Sequence, residues 1–517
     1  MKKIFLYTLI LFTSVAIFIS CRKDLSSLDT LNIKGVSIDT TGQSILSVFQ
    51  FDKLIVKPKL NMEGVIESNL KYEWKISAGP NIPGYQTIGT GRDLEYEVSQ
   101  VPTVANRFYQ ILYVITDQSN DLQYAMAWPL IVRNSIGEGL VIATSDDGVN
   151  SDISHIMSPL VTSNYSGESV KYNVFSGVNG TTIPGILKQL RFSKLRGVGE
   201  IMMGVSDQTL AAIKTLNYSL AGKNEDLFYT PTPNMRHQMT GALTQHDIYI
   251  GNGKMYGVWL EISAKFGVPF DSKYTLPNHV ALNGSSSGPL VMISFYDEEK
   301  GIFVYQPSVA SWGDRNMHPL LPVAQGAFDP SATPNKVNLA AGVTQANEFL
   351  HVLKDKSTNK VGLYVVEDGK YDDNWNQLPP VPKAFYDLSN APDIQNAVHY
   401  VLLDDQKVLY YATKTKIYAM LYGSSTPTFS ERYTARAGEE ITTLQVYRQA
   451  DYPKRFDGWD PPYISTNNKQ LIMSTYNNTE GKVYIMPMKN IGLGNIDEPN
   501  IKVFNGFKRI SAIGTQL

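Results

Sequence analysis

Between about residues 41 and 134 the chain alternates apolar and polar positions in short runs, each closed by turn residues. The clearest are Leu70-Lys71-Tyr72-Glu73-Trp74-Lys75-Ile76, then Leu94-Glu95-Tyr96-Glu97-Val98, then Tyr109-Gln110-Ile111-Leu112-Tyr113-Val114-Ile115-Thr116-Asp117. Alternation sends successive side chains to opposite faces, so each run predicts a strand with one face in a core and the other in water. Their spacing, with Gly and Pro between them, predicts an immunoglobulin-like β-sandwich of about 90 to 100 residues over 41–134. Trp74 is expected to fill the space between its sheets.

The pattern breaks at Asn134-Ser135-Ile136-Gly137-Glu138-Gly139 and restarts as the apolar run Leu140-Val141-Ile142-Ala143-Thr144. From residue 139 to residue 517 one unit recurs: an apolar strand, a polar turn and a returning strand built on a Tyr. The copies read Lys254-Met255-Tyr256-Gly257, Ile302-Phe303-Val304-Tyr305, Gly362-Leu363-Tyr364-Val365, Lys416-Ile417-Tyr418-Ala419 and Lys482-Val483-Tyr484-Ile485. Turns such as Gly251-Asn252-Gly253 and Asn477-Asn478-Thr479-Glu480-Gly481 place Gly or Asn where the backbone needs positive φ. Successive tyrosines lie roughly 50 to 65 residues apart, longer than a standard propeller repeat. One hairpin pair cannot bury both its faces, whereas radial stacking of such units does. Residues 139–517 are therefore expected to form a β-propeller-like domain of about seven blades with long insertions, the repeated Tyr serving packing.

The N-terminus follows neither pattern. Lys2 and Lys3 precede an apolar run over 4–19, and Phe18-Ile19-Ser20 leads into Cys21, the only cysteine of 517 residues. This layout predicts a secretory signal over 1–20 ending in a lipobox, with Cys21 lipidated and 21–40 a polar tether. Acyl chains on Cys21 would hold the exported chain at a membrane. With that thiol spent, the chain has none left for a disulfide, a thiolate zinc site or a nucleophile. A hydrophobic content of 43% and 18% charged residues suit a sizeable core, and 30 Tyr, 39 Gly and 27 Pro favour strands and turns. A net charge of -2 leaves no electrostatic footprint for nucleic acid.

Tyr72-Glu73-Trp74, Gly91-Arg92-Asp93-Leu94 and the strand from Tyr113 to Asp117, read with the lipobox, resemble the PKD-like module of Bacteroidota PKD-like family surface lipoproteins. The likeness runs from the lipobox through the sandwich and more loosely through the remainder. It implies an accessory lipoprotein of the outer membrane, facing the cell surface beside a TonB-dependent transporter and its SusD-like lid. Such a protein captures a glycan or peptide and performs no chemistry. In these lipoproteins acids just after the cysteine favour surface export; Arg22-Lys23-Asp24 offers one acid among two bases.

Three long loops combine Trp with acids, amides or Pro: residues 311–319 with Trp312 and Arg315, 371–377 with Asp373 and Trp375, and 455–463 with Trp459 and Tyr463. A ring stacks on the apolar face of a sugar or peptide while a carboxylate, amide or guanidinium fixes orientation, so these six residues are the candidate ligand contacts. The alternative is that each Trp folds under its own loop. No catalytic constellation stands out. His237 and His246 lack a third metal ligand and are expected to be solvated loop residues. Gly284-Ser285-Ser286-Ser287-Gly288 has the letters of a nucleophile elbow, but a strand-like run follows where a helix should. Gly177-Val178-Asn179-Gly180 is expected to be a plain turn. The stretch from Asp146 to Asp152 lacks the spacing of a calcium loop, and neither a metal nor a cofactor is expected. Carboxylates drawn together from distant loops keep a propeller-borne glycosidase or lyase open, beside a purely structural clamp of the transporter complex.

Overall fold

The computed structural model describes residues 35–39, 44–50, 52–103, 106–230, 232–243, 246–259, 263–270, 273–285, 289–308, 316–455 and 458–517. The signal segment, Cys21, residues 22–34 of the tether, Ser286, Trp312 and Arg315 lie outside them, whereas Val36–Asp39, expected to be tether, is a strand paired with Lys59–Met62, with Val36 buried. Nearly all regular structure is β, in two compact units divided between Asn134 and Ser135.

In the first unit Leu46–Phe49, Leu122–Arg133, Tyr109–Asp117, Leu70–Gly79 and Ile82–Gly89 form a sheet in that order. Leu46–Phe49 runs parallel to its neighbour and the other pairs are antiparallel. Two strand pairs, Val36–Asp39 with Lys59–Met62 and Lys53–Val56 with Leu94–Glu97, pack on the same core. Alternation buries Tyr109, Ile111, Tyr113 and Ile115 of one strand, and Trp74 lies at their centre with no exposed surface. Its ring stacks 4.0 Å from Tyr113 and its indole N–H donates to the Gly91 carbonyl at 2.9 Å, so the Trp is both filler and tie.

The second unit is a seven-bladed propeller. Blade two is Gln189–Leu195, Gly199–Val205, Leu210–Lys214 and Leu220–Lys223; blade three is His237–Ala242, His246–Gly251 and Lys254–Trp259. Blade four is Ala281–Leu282, Val291–Asp297, Ile302–Pro307 and His318–Pro319; blade five is Lys336–Val343, Glu348–Asp355, Val361–Glu367 and Val381–Asp387. Blade six is His399–Leu402, Val408–Ala412, Lys416–Leu421 and Thr428–Thr434; blade seven is Glu440–Val446, Gln470–Tyr476, Gly481–Lys489 and Lys502–Phe507. Blade one closes the ring: Gly139–Ser145, Asn150–Met157 and Ser169–Lys171 come from the start of the unit, and Arg509–Gln516 from its end.

The first strands line the axis. Gln189–Leu195 lies beside Arg509–Gln516 and His237–Ala242, Lys336–Val343 beside Ala281–Leu282 and His399–Leu402, and Glu440–Val446 beside His399–Leu402 and Arg509–Gln516. The closing strand is clasped by its own side chain: the Gln516 amide donates to the carbonyls of Ile136 and, at 2.9 Å, Gly137, while its oxygen accepts from the Tyr218 hydroxyl at 2.8 Å. Between blades the cores interlock, as where Tyr296 and Phe303 of blade four meet Phe349, Leu353 and Tyr364 of blade five. Each such fully buried side chain contributes about 1.5–3 kcal/mol. Of the repeated tyrosines, Tyr256, Tyr364, Tyr418 and Tyr484 are buried and Tyr305 is half-buried, as packing residues should be. The turns take the conformations their residues allow, with Asn252 at φ 52° and Gly253 at φ 69°.

Two local expectations fail. The segment around Gly177 is a short helix, Val174–Asn179, ended by Gly180 at φ 66°; Phe175 is buried against the propeller core, and that burial holds the turn of helix in place. His237 is not solvated: it opens a strand, is buried, and its Nδ1 lies 2.6 Å from the Tyr249 hydroxyl. His246 likewise begins a strand and is half-buried.

Candidate functional site

Strand alternation decides which loops share a face. In an antiparallel blade the connections after the first and third strands leave one edge, and those after the second and fourth leave the other. Residues 368–380 follow the third strand of blade five and 447–469 follow the first strand of blade seven, so both emerge on one face of the propeller. Side-chain bonds between blades knit that face. The Gln345 amide donates to Tyr452 at 3.0 Å, the Tyr452 hydroxyl to Asp404 at 2.5 Å and the Asn468 amide to Asp404 at 2.9 Å.

The blade-seven loop reaches across the ring. Lys454 lies 3.6 Å from Asp247 of blade three, which also pairs with Arg191 of blade two at 2.6 Å and accepts from Ser193. Burial pushes the Lys454 ammonium down, against the pull of Asp247. Pro453 rests against Gly284 of blade four. A channel cavity of about 340 Å³, walled by the first strands of four blades and by the closing strand Arg509–Gln516, is bordered by Arg448 and Ala450 of this loop. The loop is therefore a brace between blades seven, three and four as well as a carrier of side chains.

Beyond Lys454 the described residues of the loop are tied together as a stem. Arg455 donates from Nε to Asp451 at 2.7 Å and from a terminal nitrogen to the carbonyls of Pro461 and Pro462, each at 3.0 Å. Its guanidinium stacks 4.5 Å over the Tyr463 ring, and its backbone N–H donates to the Tyr463 hydroxyl at 3.0 Å. Burial pushes that phenol up to about 12. Tyr463 is thus part of the stem, and Trp459 is what the stem presents, 91% exposed.

The blade-five loop is smaller and self-contained. Lys370–Tyr371 pairs with Gln377–Leu378, and the turn between them closes on Asp372, whose carboxylate accepts from the backbone of Asn374 at 2.9 Å and of Asn376 at 2.8 Å. The Asn376 amide adds a third bond at 3.0 Å, and these bonds hold the Asp372 carboxyl below its usual range. The hairpin is tied to blade four through Leu290, which donates to Asp368 at 3.1 Å and accepts from the Gln377 amide at 3.0 Å. Trp375, 81% exposed, and Asp373 point from the tip.

Of the candidate contacts, Trp375, Asp373 and Trp459 are solvent-facing on one propeller face, Tyr463 underlies Trp459, and Trp312 and Arg315 lie outside the described residues. Neither described Trp folds under its loop. Sequence reasoning missed what fixes the loops, Asp247, Asp404, Tyr452 and Lys454, for which the length of segment 447–469 was the signal. Among the described residues no group of three or more His, Cys, Asp or Glu is placed to hold a metal. Asp147 spends its carboxylate closing its own turn, on the N–H groups of Val149 at 2.8 Å and Asn150 at 2.7 Å.

No protein-family model and no curated protein matches the chain. Solved β-propellers do. Hsv2 of Kluyveromyces lactis is 7% identical over 72% of this chain and 95% of its own, with a TM-score of 0.32. A chain of the yeast Nup82-Nup159-Nup116 nucleoporin complex is 7% identical over 68% and 98%, with a TM-score of 0.36. PorZ of Porphyromonas gingivalis, a surface component of the type-IX secretion system, is 7% identical over 68% of this chain and 45% of its own, with a TM-score of 0.27.

Proposed function

We propose that this chain is a non-catalytic receptor of the Bacteroidota PKD-like lipoprotein kind, anchored in the outer membrane through Cys21 and exposed at the cell surface. Its propeller holds a glycan or peptide on the face that carries Trp375 and Trp459, as an accessory of a TonB-dependent transporter with a SusD-like partner. One observation carries the binding half: two indoles, 81% and 91% exposed, stand on loops whose described residues bond to one another. Ordered but unburied aromatics gain their apolar contact only from another molecule. The anchor and the transporter setting rest on the lipobox and on the resemblance of the sandwich motifs.

The test is retention of the chain from Arg22 onward in affinity gels containing polysaccharides or peptides, with product analysis of the same mixtures. Retention without fragments is the expected result. Released fragments would replace the receptor with a glycosidase or lyase. Silence on both, with co-purification of the transporter, would leave a structural clamp.

A further inference from the structure

Three non-glycine residues other than Asn and Asp hold a positive φ among the described residues: Tyr218, Gln325 and Trp375. Tyr218 is offset by burial, with no exposed surface and its hydroxyl bonded to His155 and Gln516. Trp375 has no such offset. At φ 63° a bulky side chain is strained by about 1–3 kcal/mol, and its ring lies in water. Asn or Gly would make the same turn without strain, and the turn itself is closed by Asp372 and Asn376. Beyond its contact with the Tyr371 ring, the indole therefore contributes little to the hairpin that carries it.

Its neighbours define what it suits. The Tyr371 ring, 52% exposed, lies 6.0 Å from that of Trp375 with the two planes 51° apart. Asp373 and Asn374 stand beside them, exposed, with carboxylate and carboxamide unengaged by other described residues. Two apolar ring faces flanked by an acceptor-only carboxylate and a carboxamide that both donates and accepts match a sugar ring, which has C–H faces and a rim of hydroxyls. A peptide added as a strand needs a sheet edge several residues long, and the strands here are two residues each. A bilayer is disfavoured by the Asp373 charge at the tip.

We infer that the blade-five hairpin is a saccharide-binding platform in which Tyr371 and Trp375 stack on neighbouring rings of one glycan chain while Asp373 and Asn374 take its hydroxyls. The angle between the rings selects a twisted soluble chain over a flat crystalline one, because coplanar sugars cannot lie on both faces at once. This rests on the receptor reading above and gives its site a substrate class.

The experiment is affinity electrophoresis of the chain from Arg22 onward in gels containing starch-type α-glucan, mixed-linkage β-glucan, xylan or mannan, with pull-down on microcrystalline cellulose. At least one soluble polysaccharide should retard the protein, and cellulose should not retain it. Trp375→Asn should weaken that retardation by at least about tenfold while the melting temperature stays level or rises, since Asn relieves the backbone. Tyr371→Ala should weaken it less, with the melting temperature level. Retardation that survives Trp375→Asn but falls with Trp459→Ala would sink the platform and leave the receptor standing. Peptide or vesicle binding lost with Trp375→Asn, and no polysaccharide binding, would sink the saccharide class alone. A large fall in melting temperature for Trp375→Asn would show the ring to be structural and end the proposal, as would the absence of polysaccharide retardation altogether.

Discussion

The blade-five hairpin and the blade-seven loop each put a Trp into solvent, and they are held there by opposite means. Trp459 ends a stem whose root is buried: Lys454 reaches Asp247 across the ring, and Arg455 ties Asp451 to the carbonyls of Pro461 and Pro462. Trp375 ends a turn that closes on its own Asp372 and is tied to the edge of blade four at Leu290. A loop anchored by buried charges is part of the body's stability, whereas a self-closed hairpin is an attachment that can change without the body noticing. The same exposed residue thus belongs to two kinds of structure, and substitutions should separate them.

Acid should affect the body most. Burial pushes His155 and His351 down to about 3 and His237 to about 4. A histidine whose folded value lies below its unfolded one binds its proton in the unfolded chain first, so stability is complete above about pH 6.5 and declines as pH falls toward the folded value. For three such groups the decline is about 4 kcal/mol per pH unit between roughly pH 6 and 4, checked by urea unfolding at a series of pH values. The hairpin turn should outlast this fall. Its Asp372 carboxyl is held low by the hydrogen bonds it accepts, so its contribution is present above the ordinary Asp value and is lost only as pH drops through the lower folded value.

Asp247→Ala is the next largest. It strands Arg191 and Lys454 without their counter-charge, and breaking a buried pair in this way costs about 3–5 kcal/mol, read as a lower urea midpoint. If Asp247→Ala unfolds no more easily than the wild type, the loop is not anchored to the body and the contrast between the two loops collapses. Arg455→Ala should cost about 1–3 kcal/mol through its lost hydrogen bonds, and it should reduce ligand retention with it, because the stem that aims Trp459 loosens. Trp459→Ala is the smallest: unfolding within about 0.5 kcal/mol of wild type and weaker retention in the gels. A melting temperature that falls as far as for Asp247→Ala would show Trp459 to be packed rather than presented.

The chain wrote some of this plainly and concealed the rest. Alternation over residues 109–117 gave a strand of the same extent, Tyr109–Asp117, because period two is a local property that burial of one face preserves. The positive-φ turns were legible for the same reason: Asn252 and Asn478 take the left-handed conformation because their side chains allow it, wherever the blade is placed. Trp74 was readable as core because its strand alternates on both sides of it. Trp375 and Trp459 were recognisable as loop residues, but sequence could not say whether their rings turned inward, since that depends on whether the loop's own polar groups are already satisfied. His237 was misjudged because its partner Tyr249 arrives from the next strand, and only pairing brings the two together.

Sequence alone thus determined strand content, turn chemistry and the repeating unit, all fixed by interactions within a few residues. Only the tertiary structure decided that the ring has seven blades closed by Arg509–Gln516, that Lys454 meets Asp247, and that Trp375 and Trp459 share a face. Those outcomes depend on pairing between residues far apart in the chain. No local period records such pairing, because its energy appears only when the ring closes and water is excluded from between the blades.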